Sequence, residues 1–326
     1  MLISVILPCF NAASTIRSSV QSILDQTLND WELIVVDDAS TDASVSIVES
    51  FVDDRINLIQ LTQNIGYPTA MNEGIAKAKG KYIARMDADD VSASTRLEEQ
   101  VKVLENSPRA AFCGVARYRI TPGDKMYVDK KQSAAYCKTE SWDDLLLGSR
   151  IFTDPSVVVE KERILNVGGY RTFQRSGMDV DLWFRLMERY GSCVTITKPL
   201  FGKRLEPNSI IFKPQTALIN QVPRVLAIQR SKTGVDDYQR NGRIDMDRYV
   251  SEGLVVMKRD SDNLQLSLGA WVTCFFLGDF YGCSIYWKSI LALEKNPTMV
   301  VMLLFKKIIK RLRHNPYRQI WSIQNV

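Results

Sequence analysis

Asp87, Asp89 and Asp90 set three carboxylates within four positions of "ARMDADDVSASTR" (84–96), directly behind an apolar run. Like charges this close repel, and a cation relieves them. Hard oxygen donors at a strand end suit Mg²⁺ or Mn²⁺, which commonly bind one or two carboxylates and complete their shell with substrate phosphates. The alternative is a solvated acidic turn ahead of a helix that starts near Thr95. A second pair, Asp37 and Asp38, ends "ELIVVDD" (32–38). A carboxylate there could accept an N–H from a bound ligand, or could cap the helix that follows. Phe10, two residues beyond Pro8, offers either a face for a base or an ordinary core aromatic. Asn64 and Gly66 in "QNIGY" could shape a loop near a diphosphate or serve turn formation alone. Asp179 and Asp181 open "MDVDLWFRLMERY" (178–190), where i, i+2 spacing points them to different sides of a helix. Asp179 has the better position to face a cleft, and Asp181 reads as structural or as a first-turn charge favoured by the dipole.

The elements that must carry these residues alternate regularly. "ISVILP" (3–8), "ELIVVDD" (32–38), "INLIQL" (56–61) and "KYIARM" (81–86) are strand-like. Helical spacing separates them at 13–25, from a cap at Ser40 or Thr41 to near Val52, and at 67–79. Such alternation predicts an α/β fold with a doubly wound, mostly parallel sheet and a ligand beyond the strand C-termini. Pro8 to Asn11, Asp37 with Asp38, and Asp87 to Asp90 all follow strands, so three separate segments deliver polar groups to one sheet edge. From about 108 to 215 short strands such as "AAFCGVARYRI" and "PSVVVE" flank the 178–190 helix. Beyond roughly 215 the chain turns helical, which divides it into an α/β domain over 1–215 and a helical region over 216–326; the resemblance given below implies that the first is a nucleotide-sugar-binding and catalytic domain.

Composition excludes several classes. The net charge is +5, but seven Lys or Arg and no acid lie from Lys295 onward, leaving the rest at −2. A body built to track nucleic acid is not expected; a tail that meets an anionic surface is. Over 298–313, Val301, Phe305, Ile308 and Leu312 form an apolar stripe opposite Lys306, Lys310 and Arg313, so the segment is either a peripheral membrane helix or one packed on the body. Six cysteines form no CxxC pair and His314 is the only histidine, so zinc-ligand spacing is absent and a reducing, cytoplasmic compartment is expected. The N-terminus lacks the basic start of a signal peptide. Leu266 to Trp287, interrupted by Asp279 and glycines, reads as a buried helical hairpin rather than a membrane span.

In this order, "SVILPCFNAASTIRSSVQSILDQTLNDWELIVVDDASTD", "NIGYPTAMNEGIAKAKGKYIARMDADD" and "GGYRTFQRSGMDVDLWFRL" resemble the inverting family 2 glycosyltransferases of the GT-A fold, of the bacterial surface-polysaccharide type. The resemblance covers about the first 210 residues. It implies that Asp38 accepts the uracil N3–H, that Phe10 stands where a tyrosine often stacks on the base, and that Pro8 gives backbone contact beside it. It further implies that Asp87 faces the ribose and sugar, that Asp89 coordinates Mn²⁺ or Mg²⁺, and that Asp179 is the general base. The expected partners are a nucleotide-sugar donor and a glycan or lipid-linked glycan acceptor.

Three positions depart from that pattern. Met178 replaces a common glutamate, exchanging a neighbouring charge for apolar desolvation; both raise a carboxyl pKa. Glu206 stands where a histidine often contacts metal or diphosphate, and could itself bind a hard cation. Asp154 also replaces a frequent histidine. Two rivals differ in class. A sugar-1-phosphate nucleotidyltransferase should carry a glycine-rich basic loop after its first strand, where this chain has "PCFNAAS". A non-catalytic nucleotide- or glycan-binding protein on the same fold is suggested by Met178 and Glu206. No GxGxxG follows any strand, which disfavours a dinucleotide oxidoreductase.

Overall fold

The computed structural model describes residues 1–128, 135–173, 177–205 and 221–251. Glu206, the 215/216 boundary, the 266–287 stretch and the 298–313 tail lie outside the described residues. The alternating first third folds as its periodicity requires: β1 (Ile3–Cys9), α1 (Ile16–Leu24), β2 (Trp31–Asp37), α2 (Ser44–Glu49), β3 (Ile56–Gln60), α3 (Tyr67–Lys77) and β4 (Tyr82–Arg85). β1 and β2 are buried at every position, as expected of strands covered on both faces. One face packs Val5, Leu7, Val20 and Leu97, and the other packs Ile6, Ile34, Met71 and Phe184.

β3, β2, β1 and β4 run parallel in that spatial order. The sheet then becomes mixed. β9 (Val158–Glu160) lies antiparallel to both β4 and β6 (Cys113–Ile120). β10 (Cys193–Arg204) runs parallel to β6 and antiparallel to the two-residue β5 (Val91–Ser92). The short strands β7 (Met126–Tyr127) and β8 (Cys137–Glu140) pair with β6 and β10; α4 (Arg96–Asn106) follows β5, α5 (Trp142–Leu147) and α6 (Lys161–Asn166) precede and follow β9 in the chain, and α7 (Met178–Tyr190) covers the second core face. Register aligns Cys9 with Asp37 and Asp37 with Gln60, so the parallel strands end together at one edge.

The expected cap of α2 is corrected. Neither Ser40 nor Thr41 caps it; Asp42 accepts the Ser44 N–H at 2.9 Å and the Ala13 N–H at 3.0 Å. Asn11 instead ties the two loops, accepting the Thr41 N–H at 2.8 Å while its own N–H donates to Ser40 Oγ at 2.9 Å.

Beyond the sheet, the helix Val222–Thr233 packs on α7, with Ala227 in the main core. Arg171, Arg185 and Arg230 surround Asp181 at 3.4, 2.9 and 3.6 Å. Among the described residues no helix is long and apolar enough to cross a membrane, and Cys9, Cys113, Cys137 and Cys193 are free.

Candidate active site

The loop after β4 is built, not solvated. Ser19 on α1 donates to the carbonyls of Ala88 at 2.8 Å and Asp90 at 2.7 Å. Gln26 holds Ser92 Oγ and the Ala93 carbonyl while accepting the Leu97 N–H, which ties α1 to the start of α4. Arg204 closes the other side, its Nε donating to the Asp89 carbonyl and its N–H to Asp90 Oδ1. Asp90 is 0% exposed. Burial removes Asp90 from any solvated turn, while Asp87 and Asp89 are partly buried.

Within this frame one oxygen from each of Asp87, Asp89 and Asp90 lies within 4.8 Å of the others. They are not equivalent. Asp87 Oδ1 accepts from Tyr67 Oη at 2.7 Å and Arg85 Nη2 at 3.1 Å. Burial would raise its pKa, but Arg85 and Lys203 outweigh burial and bring it down to about 2. Burial pushes Asp90 up to about 8 despite Lys203. Burial likewise raises Asp89, whose carboxylate makes no hydrogen bond or ion pair with another side chain among the described residues. A single cluster thus contains one acid held ionised by Arg85 and Lys203, one without a hydrogen-bonded side-chain partner among the described residues, and one in which burial opposes the pull of Lys203.

Arg85 joins this cluster to Asp179. It ends β4, its Nε donates to Tyr67 Oη at 2.7 Å, and its Nη1 lies 2.7 Å from Asp179 Oδ1. α7 starts after Gly177, whose left-handed backbone (φ 75°) turns the chain into the helix that brings Asp179 to Arg85. Asp179 is 8% exposed, and burial raises it to about 7, with Asp154 and Asp87 adding and Arg85 opposing. Asp154 behaves differently: Arg150 grips it at 2.5 and 2.8 Å, Trp183 Nε1 donates at 3.0 Å, and these contacts outweigh burial to lower its pKa. Asp179 is therefore the better proton acceptor near neutral pH.

At the β1 and β2 ends, Phe10 is 50% exposed, which removes the core-aromatic reading. Asp38 is buried and accepts the backbone N–H groups of Ile65 at 2.7 Å and Gly66 at 2.9 Å, while Asn64 Nδ2 donates to its carbonyl at 3.3 Å. Gly66 (φ 88°) supplies the positive φ this loop needs before α3. Asp37 Oδ2 accepts the Ser40 N–H at 3.0 Å, and its buried Oδ1 has no partner among the described residues. Neither acid caps α2. Pro8 sits within β1, paired with Val36.

Asp38, Asn64 and Gly66 thus form one unit, and Asp87, Asp89 and Asp179 another, linked through Arg85. The sequence reading missed Arg85, Lys203, Tyr67 and Arg150. Only Arg85 left a signal: a lone charge inside the otherwise apolar "KYIARM" strand asks for buried partners.

A family model described as "Glycosyl transferase family 2" matches residues 4–176. Over 214 residues the chain is 32% identical to TuaG of Bacillus subtilis (strain 168), a glycosyltransferase named for teichuronic acid biosynthesis, covering 64% of this chain and 81% of that protein. Over 103 residues it is 39% identical to Escherichia coli WfgD, named a UDP-Glc:alpha-D-GlcNAc-diphosphoundecaprenol beta-1,3-glucosyltransferase, covering 32% of this chain and 41% of that one. A solved structure of S. aureus TarS 1-349 in complex with UDP-GlcNAc superposes with a TM-score of 0.58 at 12% identity, over 98% of this chain and 93% of that chain. At that identity the likeness is one of fold.

Proposed function

The chain belongs to the family 2 glycosyltransferases, and from that premise we propose that it moves a hexosyl or N-acetylhexosaminyl group from a UDP-sugar to a hydroxyl of a glycan or lipid-linked glycan, with inversion, in cell-surface polysaccharide synthesis. The observation that carries the reading is Asp179, nearly buried, raised to about 7, and joined through Arg85 to the donor-side acid Asp87. A base poised near neutral pH takes the acceptor proton as the acceptor oxygen bonds to the anomeric carbon and the bond to the diphosphate breaks. Asp38 reads the uracil N–H through lone pairs its two backbone contacts leave, held in orientation by those contacts. Phe10 lies open for stacking on the base beside Pro8, and Asn64 with Gly66 shapes the adjoining loop.

The donor set fits a hard divalent ion, since three carboxylates converge and Asp89 has an uncommitted head. Asp89 with Asp87 would hold Mn²⁺ or Mg²⁺, which supplies Lewis-acid stabilisation of the diphosphate leaving group when bound. Glu206 stays a further ligand by proposal alone. UDP is favoured because TarS was solved with UDP-GlcNAc and WfgD is named for UDP-Glc. The lipid-linked acceptor rests on WfgD's name, and the basic 298–313 tail would bring the enzyme to the anionic face where such acceptors sit. Truncation at Pro297 should then abolish salt-sensitive sedimentation with anionic liposomes; equal sedimentation of both forms sinks that part.

The test is a panel of nucleotide sugars, with and without Mn²⁺, read first as protection against thermal unfolding and then as transfer to a lipid-linked glycan. UDP-sugars should protect and turn over. Protection without transfer to any acceptor would favour the non-catalytic binding protein instead.

A further inference from the structure

The acid cluster carries a cation of its own. Lys203 Nζ lies 3.1 Å from Asp90 Oδ2 and 3.4 Å from Asp87 Oδ2. The adjoining backbone fixes its position: Gly202 pairs with Val91, and the Arg204 N–H binds Asp90 Oδ1 at 2.9 Å. Gly202 tolerates no side chain, because a Cβ there would stand 2.6 Å from the Tyr118 ring, so β10 and β6 stay in close register beneath the loop.

We propose that Lys203 is a tethered counter-cation of the acid cluster, competing with free divalent metal for Asp87 and Asp90, so that metal joins the site with the nucleotide diphosphate rather than ahead of it. The inference rests on the metal reading given above. A metal ion and an ammonium cannot both take the same carboxylate oxygens at full strength. Asp90 has 0% side-chain exposure while Lys203 keeps 30%, so the lysine is the less enclosed partner of the pair. A diphosphate brings fresh anionic oxygens within reach of such a flexible stem, and an ammonium is a suitable point-charge partner for them. Relieved of Lys203, Asp87 joins the uncommitted Asp89 as a donor. If the lysine served only to neutralise Asp90, removing it would not alter metal binding at Asp89.

Mn²⁺ binding to the full chain, read as loss of the free-ion electron paramagnetic resonance signal with and without UDP, tests the proposal. One neighbouring opposite charge changes a carboxylate's affinity for a competing cation, the proton, by about tenfold to a thousandfold. Lys203→Met should therefore bind Mn²⁺ at least about tenfold more tightly than wild type in the absence of UDP. Lys203→Arg, which keeps the charge, should match wild type. Unchanged or weaker UDP-free binding by Lys203→Met overturns the proposal. Should that variant not fold, wild type decides alone: weak Mn²⁺ binding that UDP strengthens supports the proposal, and equally tight binding without UDP overturns it. Failure of the metal reading looks different, since no protein would then bind Mn²⁺ in either state.

Discussion

Arg85 Nη1 lies 2.7 Å from Asp179 Oδ1, while Nη2 of the same guanidinium lies 3.1 Å from Asp87 Oδ1. One buried arginine thus spans two acids drawn from β4's end and the start of α7, and it couples them. Removing it leaves two buried carboxylates facing each other. Arg85→Met should cost about 3–5 kcal/mol of stability, the scale of breaking a buried ion pair from one side. Chemical denaturation of both proteins at neutral pH measures this, and a loss below about 1 kcal/mol would show the pair to be dispensable.

The same contact sets a pH expectation. A general base works deprotonated, so transfer by the wild-type protein should rise with pH through about 7 and level off above it. Arg85 opposes the upward shift of Asp179, so a folded Arg85→Lys variant, with a charge less able to bridge both acids, should move that limb to higher pH. Rate profiles under saturating donor check the direction. A limb that stays put, or moves down, separates Asp179 from the titrating group.

Asp179→Asn preserves size and most hydrogen bonding but cannot take a proton. Transfer should fall by roughly two to four orders of magnitude, with donor affinity nearly unchanged. Single-turnover transfer and donor binding on one preparation test both halves. Near wild-type transfer would move the base elsewhere, though Asp154 is a poor replacement while Arg150 holds it ionised. Collapsed donor binding would make Asp179 structural through its Arg85 contact.

Much of this arrangement is legible in the sequence, for physical reasons that also mark the limits. β1 to β4 show themselves because buried parallel strands read as apolar runs between helical periods. α7 spans the 178–190 stretch its spacing outlines. β10 escapes because "CVTITKPLFGKR" carries Pro199, Gly202 and lysines, and the strand absorbs them through register shifts near Pro199. Lys203 meets Asp90 across 113 positions, and no local period reports such a contact. The acids announce a site by their crowding, whereas the residues that discriminate among them come from distant strands. Ser40 and Thr41 look like helix caps by type, but Asn11 recruits both residues to lace two loops.

The three acids after β4 should separate under mutation. Asp89→Ala removes a carboxylate with no side-chain partner among the described residues, so the fold should persist while Mn²⁺-dependent UDP binding is lost. Asp90→Ala instead strips Lys203 and the Arg204 N–H of a buried acceptor, and should lower stability by about 1–3 kcal/mol. Titration calorimetry of UDP with Mn²⁺, paired with thermal unfolding, reads both. Metal-dependent affinity surviving in Asp89→Ala would leave the cluster without a cation role there.

Asp181 lies two residues from Asp179 and does a different job. Its side chain is 0% exposed, with Arg185 at 2.9 Å, Arg171 at 3.4 Å and Arg230 at 3.6 Å. Arg230 continues to Glu188 at 2.7 Å, so the helix Val222–Thr233 is bound to α7 by charge as well as by Ala227. Neutralising the central acid leaves three guanidinium groups crowded with one anion fewer. Asp181→Asn should therefore destabilise the protein by about 3–5 kcal/mol, yet leave the pH limb of transfer unmoved, because Asp181 touches neither Arg85 nor the acid cluster. Equilibrium unfolding and the pH–rate profile of the folded fraction test the two halves separately. A shifted limb with unchanged stability would reverse the assignment, making Asp181 part of the reacting site and not of the packing between the two helices.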